Sequence, residues 1–336
     1  MEKLDNIITH YEQILKQYKK KSKEEHLVEQ AQKLSQQLIE FEISPEEVVS
    51  LHRNITTTNN FNKDEILQSL DILMEIISAY GFSYREYLDL LKRAEQLDHD
   101  VDVAASLQET MLQTTFPAVE GLDMGVVSKA AKKVNGDYYN VLTHYDHKVS
   151  FAIADVIGKG IPAALAMSMI KFGMDSYGQS KMPDDALKKL NRVVERNINQ
   201  NMFVTMFYGL YDYQNHHFYY SSAGHEPAFY YSAKHQTFSR ISTKGIVMGV
   251  TLDAQFEQKE LHFEPGDILI VVTDGVTELR KNDGEFISDD ELELLFREHI
   301  ESTPQVMVNN LFESLNKLQY QNKKDDLTLF VLKRTD

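Results

Sequence analysis

The chain has 336 residues and no cysteine. That excludes disulfides, thiolate nucleophiles and cysteine-based zinc sites, and it is compatible with a reducing, cytoplasmic setting. No run of roughly eighteen apolar residues occurs, so no membrane-spanning helix is expected. The first residues, "MEKLDNIITHYEQILKQYKKKSK", lack an apolar core behind a basic start, so no secretory leader is expected there. A basic excess is also missing. Lys and Arg number 35 against 51 Asp and Glu, a formal charge of −16. This argues against a nucleic-acid backbone as partner and suits a protein that gathers carboxylates around cations. Glycine is absent from the first 80 residues, and proline occurs there once.

What is present divides by composition into an α+β chain. Residues 1–84 read as a bundle of about four helices, a candidate partner-binding and dimerisation domain. Ile7, Ile8, Tyr11, Ile14, Leu15 and Tyr18 form one apolar stripe; Leu27, Ala31, Leu34 and Leu38 form another. "ISPEEVVSLH" supplies a helix start, with Ser44 as N-cap, Pro45 first in the helix and Glu47 completing a capping box. Residues 85–117 read as a linker helix. Leu90, Ala94, Leu97, Val101, Ala104, Gln108 and Met111 keep a 4-3 spacing, a candidate two-stranded coiled-coil seam. From 118 to 336 the texture changes, and all but one of the 15 glycines lie there. "LDMGVVSKA", "DYYNVLTHY", "KVSFAIAD", "FVTMFYGLYDY", "HFYYSSAG", "PAFYYSA", "DILIVVTD" and "LTLFVLKR" read as strands. Helices interrupt them near 162–177, 184–200, 289–299 and 304–320, the last two opened by a Ser288–Glu291 capping box and by Thr303-Pro304. Short connections imply antiparallel sheets with helices packed outside.

Carboxylates recur where apolar strands end. Asp155 closes "FAIAD", Asp274 closes "DILIVVTD", Asp137 opens "DYY", and Asp325 and Asp326 open the last strand. A lone acid there is usually a turn residue, and Asp-Gly is a common turn. Several such acids at the ends of core strands are harder to explain that way, because burying an unpaired carboxylate is costly. Few basic residues lie nearby, apart from Lys159, Lys323 and Lys324. Hard oxygen ligands without cysteine suit Mg²⁺ or Mn²⁺. Gly136, Gly158, Gly160 and Gly275 beside these acids allow sharp turns or close approach. The "GKG" loop after Asp155 matches neither phosphate-binding glycine motif.

"NGDYY", "IADVIGKGIPAAL", "SSAGHEP", "VVTDGVTE" and "DDLTLFVL", in that order over roughly 120–334, resemble the PPM-type metal-dependent serine/threonine protein phosphatases. More narrowly they are similar to the bacterial SpoIIE/RsbU branch. The resemblance implies a β-sandwich flanked by helices and two Mn²⁺ or Mg²⁺ ions. It implies that Asp155 bridges the ions, with the Val156 backbone carbonyl as an added ligand. Asp274 and Asp325 would ligate one ion and Asp137 the other; Asp326 stands where the wider family often has Asn. Asp155 and Asp274 would carry the chemistry, an attack of metal-activated water on phosphorus. The family's phosphate-holding arginine has no counterpart in residues 118–136, just upstream of Asp137, which leaves Lys132 or His225 as candidates against plainer roles as a solvated lysine and a turn histidine. The implied substrate is a phosphorylated anti-sigma-factor antagonist of the RsbV kind. The implied activator is a switch kinase of the RsbT kind on the N-terminal domain of a homodimer. Two other readings stand beside this one: a two-metal nuclease or nucleotide hydrolase, and a non-catalytic pseudophosphatase or scaffold binding the same partners.

Overall fold

A computed structural model describes residues 2–18, 24–41, 43–112, 115–158, 160–177, 182–197, 202–320 and 325–335. The predicted neighbours Lys159, Lys323 and Lys324 lie outside those residues. The chain divides into two compact units at Asp98 and His99.

The first unit contains α1 (Glu2–Tyr18), α2 (Glu24–Glu40), α3 (Pro45–Thr58) and the start of α4 (Lys63–Leu112). The apolar stripes read from the sequence meet in one core of Tyr11, Ile14, Leu34, Leu38, Val48, Ile55, Ile72 and Ile76. Both arms of the predicted capping box at Ser44 and Glu47 form. A second reciprocal pair, Asn62 with Glu65, opens α4 at 2.9 Å in each direction. This helix is longer than the composition implies. It runs 50 residues without a break, through Gly81 and across the boundary placed at 84/85. A Cβ at Gly81 would meet nothing within 4 Å, so that glycine marks no crossing or turn.

The second unit is a sandwich. β1 (Leu122–Lys129), β6 (Ala228–Ser232), β7 (Thr237–Ile241), β9 (Ile268–Val272) and β10 (Leu327–Arg334) make one sheet in the order β1-β10-β9-β6-β7. β2 (Asp137–His144), β3 (Lys148–Ile157), β4 (Phe203–Asp212), β5 (His217–Ala223) and β8 (Gln258–His262) make the other, in that order. Every strand pair named is antiparallel. Successive strand residues face opposite sides. In β3, Phe151 and Ile153 face the opposing sheet, where they join Phe207, Phe218, Leu269 and Phe330. Ala152, Ala154 and Val156 face outward onto α5 (Ile161–Tyr177) and α6 (Pro183–Asn197), with Met167, Ile170, Leu187 and Leu190. In β9, Ile268, Ile270 and Val272 likewise meet α8 (Asp289–Arg297) and α9 (Pro304–Leu318) through Phe296, Met307 and Leu311. Both faces of the central strands are therefore covered, which is why they read as unbroken apolar runs. The Ser288–Glu291 box forms at α8, and Pro304 begins α9, but Thr303 makes no side-chain cap bond.

One acid of the apolar stretch serves the fold alone. Asp267, fully buried just before β9, accepts from the backbone N–H of Ala233 and Glu264 at 2.8 Å each and from the Tyr230 hydroxyl. Asp267→Ala leaves three part-buried donors without their acceptor. It should cost about 3 kcal/mol in urea unfolding; a loss under about 1 kcal/mol would show that water replaces the carboxylate.

Candidate metal centre

Strand register brings two of the predicted acids together. The β2–β3 turn, with His147 at φ 57°, fixes the pairing so that Asp137 stands directly opposite Asp155 at the far end of the hairpin. By alternation both share the face of Tyr139 and Ile153 and point into the end of the inter-sheet space. The other sheet closes that end. Thr273, buried after β9, donates its hydroxyl to Asp137 Oδ2 at 2.8 Å and accepts from the Thr328 N–H at 3.0 Å. Asp137 Oδ1 is buried and receives no hydrogen bond. Burial drives the Asp137 carboxyl well above the ordinary carboxylate range. The charges of Asp155 and Asp326 add to the rise, against the hydroxyls of Thr328 and Thr273.

Gly136 is where the oxygens converge. A Cβ there would lie 3.0 Å from Asp326 Oδ2, 3.6 Å from Asp155 Oδ1 and 3.6 Å from the Val156 carbonyl oxygen. Gly275 is required for a different reason, since its Cβ would fall 1.9 Å from the Asp326 carbonyl oxygen. Gly160 adopts φ +76°, and the chain enters α5 from its carbonyl. Gly158 sits against Met202. Asp326 is engaged through both oxygens, by the N–H groups of Ala131 at 2.7 Å and Gly136 at 2.5 Å. It clasps the start of β10 to the β1–β2 loop. Asp274 does not end a strand, as the sequence suggested, but opens the one-turn helix α7 (Asp274–Thr277) behind Thr273. Its carboxyl is pushed up to about 6, by burial first and then by the charges of Asp325, Glu278 and Glu226.

Among the described residues, no three His, Asp or Glu side chains already form a metal-holding cluster. The donor set still fits a hard divalent cation: it is all oxygen, it includes the orphaned Asp137 Oδ1, and it surrounds a space that only glycine leaves open. Of the two phosphate candidates, Lys132 is exposed in the β1–β2 loop. His225 is buried, with Nδ1 2.9 Å from Thr205 Oγ1, and burial lowers its pKa to about 4, so it is a neutral group of the turn. A cleft of about 500 Å³ beside Asp137 is lined instead by Lys129, Lys133, Asn135 and Gln108. Lys133 is paired with Asp102 at 2.7 Å. Gln108, assigned by spacing to the coiled-coil seam, is only 6% exposed and packs on its own domain. Leu90 and Leu97 of the same seam are more than 60% exposed, at 62% and 66%. Thr273, Asn135 and Gln108 were not predicted as site residues; the only sequence signals are their places beside "TDG" and "NGD" and at a polar break in the seam.

The second unit has the PP2C-like phosphatase fold. The SiaA-PP2C domain of Pseudomonas aeruginosa superposes with a TM-score of 0.63 at 15% identity, covering 73% of this chain and 99% of that one. The PP2C phosphatase domain of SpoIIE from Bacillus subtilis, with a fragment of its regulatory domain, gives 0.54 at 19% identity, covering 65% and 64%. The family profile for stage II sporulation protein E matches residues 145–335, and that for the N-terminal domain of phosphoserine phosphatase RsbU matches residues 9–83. Phosphoserine phosphatase RsbU of Bacillus subtilis is 44% identical over 326 residues, 96% of either chain. The chain therefore belongs to the RsbU phosphoserine phosphatases of the SpoIIE family.

The raised Asp274 carboxyl has a consequence for the metal-free protein. Between about 3.8, its ordinary value, and about 6, the folded state holds more proton than the unfolded one. The stability from this group is thus fully present below the lower value and is lost as pH rises through the upper. Asp274→Asn should flatten that fall when unfolding is measured in chelator from pH 4 to 7. Parallel parent and variant curves would contradict it.

Proposed function

We propose that this chain hydrolyses a phosphoserine monoester on a protein, using two Mn²⁺ or Mg²⁺ ions held by Asp137, Asp155, the Val156 carbonyl, Asp274 and Asp325. The observation that carries the reading is the pair of opposed acids, buried Asp137 and half-buried Asp155, beside the oxygen-lined face of Gly136. Phosphatases of the wider family bind these two metals. When bound, such ions supply a nucleophilic water at neutral pH and neutralise the charge on the phosphoryl group. The chain's own residues do the positioning. Thr273 fixes one Asp137 oxygen and leaves the other open. Asp326, with both oxygens taken by backbone N–H groups, holds the loop that carries Gly136, so Asp325 is favoured over it as the ligand of the pair. Lys129 at the cleft is better placed than Lys132 to meet the phosphate.

The substrate we infer is the phosphorylated anti-sigma-factor antagonist of the RsbV kind, whose dephosphorylation releases a general stress sigma factor. A switch kinase of the RsbT kind would dock on the N-terminal bundle; the match of residues 9–83 supports this. The exposed Leu90 and Leu97 support pairing of two α4 helices in a homodimer. Among the described residues no helix is long and apolar enough to cross a membrane, in keeping with a cytoplasmic protein.

Phosphate release from the phosphoprotein should vanish in chelator and return with Mn²⁺. Asp155→Ala should lower it by roughly a thousandfold, the several kcal/mol of charge stabilisation at stake. The same variant should unfold at a higher temperature without metal, because repulsion with Asp137 is relieved. Turnover that survives exhaustive metal removal would refute the metal reading. For control by the linker, Leu97→Pro should break α4. The kinase should still bind this variant but no longer raise its turnover, whereas undiminished activation would reduce the linker to a tether.

A further inference from the structure

Gln108 is a buried amide on a helix whose adjacent residues, Leu107 and Glu109, are exposed. A buried amide is costly unless its polar atoms are bonded, and here both are. Its Nε2 donates to the Asn135 carbonyl oxygen at 2.7 Å, and its Oε1 accepts from the Asn135 N–H at 3.0 Å. Gln108 thus grips the main chain of one residue from both sides, as a neighbouring strand would. Nε2 also lies 3.1 Å from Met167 Sδ on α5.

Asn135 passes the constraint on. Its Oδ1 accepts from the Asp137 N–H at 2.9 Å, and its Nδ2 donates to Ser128 Oγ at 3.0 Å. The next residue, Gly136, donates to Asp326 and accepts the Val156 N–H at 3.1 Å. Three consecutive residues, 135 to 137, therefore hold the Asp137 carboxylate, the Asp326 clasp and the Val156 backbone in one frame, and Gln108 holds the first of them.

We propose that Gln108 is a positioning residue for the metal site: its two-point grip on Asn135 sets the geometry at which Asp137, Asp155 and the Val156 carbonyl meet a divalent cation. The proposal rests on the two-cation reading above. A merely structural anchor would cost stability and leave cation affinity in the folded protein unchanged. A positioning residue changes the affinity itself.

The test is Mn²⁺ titration of the full chain without substrate, with free Mn²⁺ followed by its paramagnetic resonance signal. The set is the parent, Gln108→Ala, the near-isosteric Gln108→Met and the control Thr110→Ala. Loss of two hydrogen bonds to backbone should weaken Mn²⁺ binding about tenfold in both Gln108 variants. Thr110→Ala should match the parent. Turnover of the Gln108 variants at saturating Mn²⁺ should return to within about twofold of the parent, so that the loss appears in the Mn²⁺ requirement and not in kcat. Affinity within about twofold of the parent, in a Gln108 variant with parental far-UV circular dichroism, overturns the proposal. If Gln108→Ala does not fold, Gln108→Met decides by the same criterion. A parent that binds no Mn²⁺ removes the two-cation reading and this proposal together; a parent that binds, beside unchanged Gln108 variants, removes this proposal alone.

Discussion

Two carboxylates facing each other across one strand pair, one buried and one half-buried, are the constraint on which the site depends. Asp137 and Asp155 occupy directly opposed positions in β2 and β3, and Asp137 has almost no contact with solvent. Like charges in that arrangement repel, and the low polarity around them amplifies the repulsion. Without a cation the pair is relieved by protonation, which is the direction in which Asp137 is displaced. With one, the same arrangement would become the binding site proposed above. The neighbourhood serves this choice: Thr273 supplies a single hydroxyl, and Gly136 leaves an opening lined by oxygen.

The sandwich makes the arrangement rigid. β3 is packed on one face by Phe207, Phe218 and Phe330 and on the other by α5 and α6. Small outward residues, Ala152 and Ala154, let those helices lie close to the strand that ends in Asp155. The second sheet contributes at the same end through Thr273, Thr328 and Asp326, so the site is the seam where both sheets stop. Hydrogen bonds from opposite ends of the sequence meet there. The Ala131 N–H and Asp326 carboxylate are 195 residues apart in sequence, and Asp137 and Thr273 are 136 apart.

Much of this was legible from residues alone because burial leaves a periodic trace. Central strands covered on two faces appear as unbroken apolar runs, and the acids that end them stand out by contrast. The capping boxes at Ser44 and Ser288 were legible because their partners lie three residues away. What escaped lacks such a trace. β7 and β8, "TFSRI" and "QKELH", are half-exposed edge strands with no apolar alternation. α4 continues through Gly81 because one glycine, which costs about 1 kcal/mol, is outweighed by the rest of a 50-residue helix. Gln108 fell on a heptad position by spacing, yet its amide is committed to Asn135, a partner that no local pattern announces. The acids were readable as candidates, but the division of labour between Asp325 and Asp326 depends on hydrogen bonds to Ala131 and Gly136 that only the fold creates.

The central proposal is that two cations share the carboxylates at the seam of the sheets. The most direct measurement is the paramagnetic resonance spectrum of the fully loaded Mn²⁺ protein together with its metal content. Two ions sharing this site would give two Mn²⁺ per chain and an exchange-coupled signal. A single uncoupled Mn²⁺ per chain, or two that show no coupling, would contradict it.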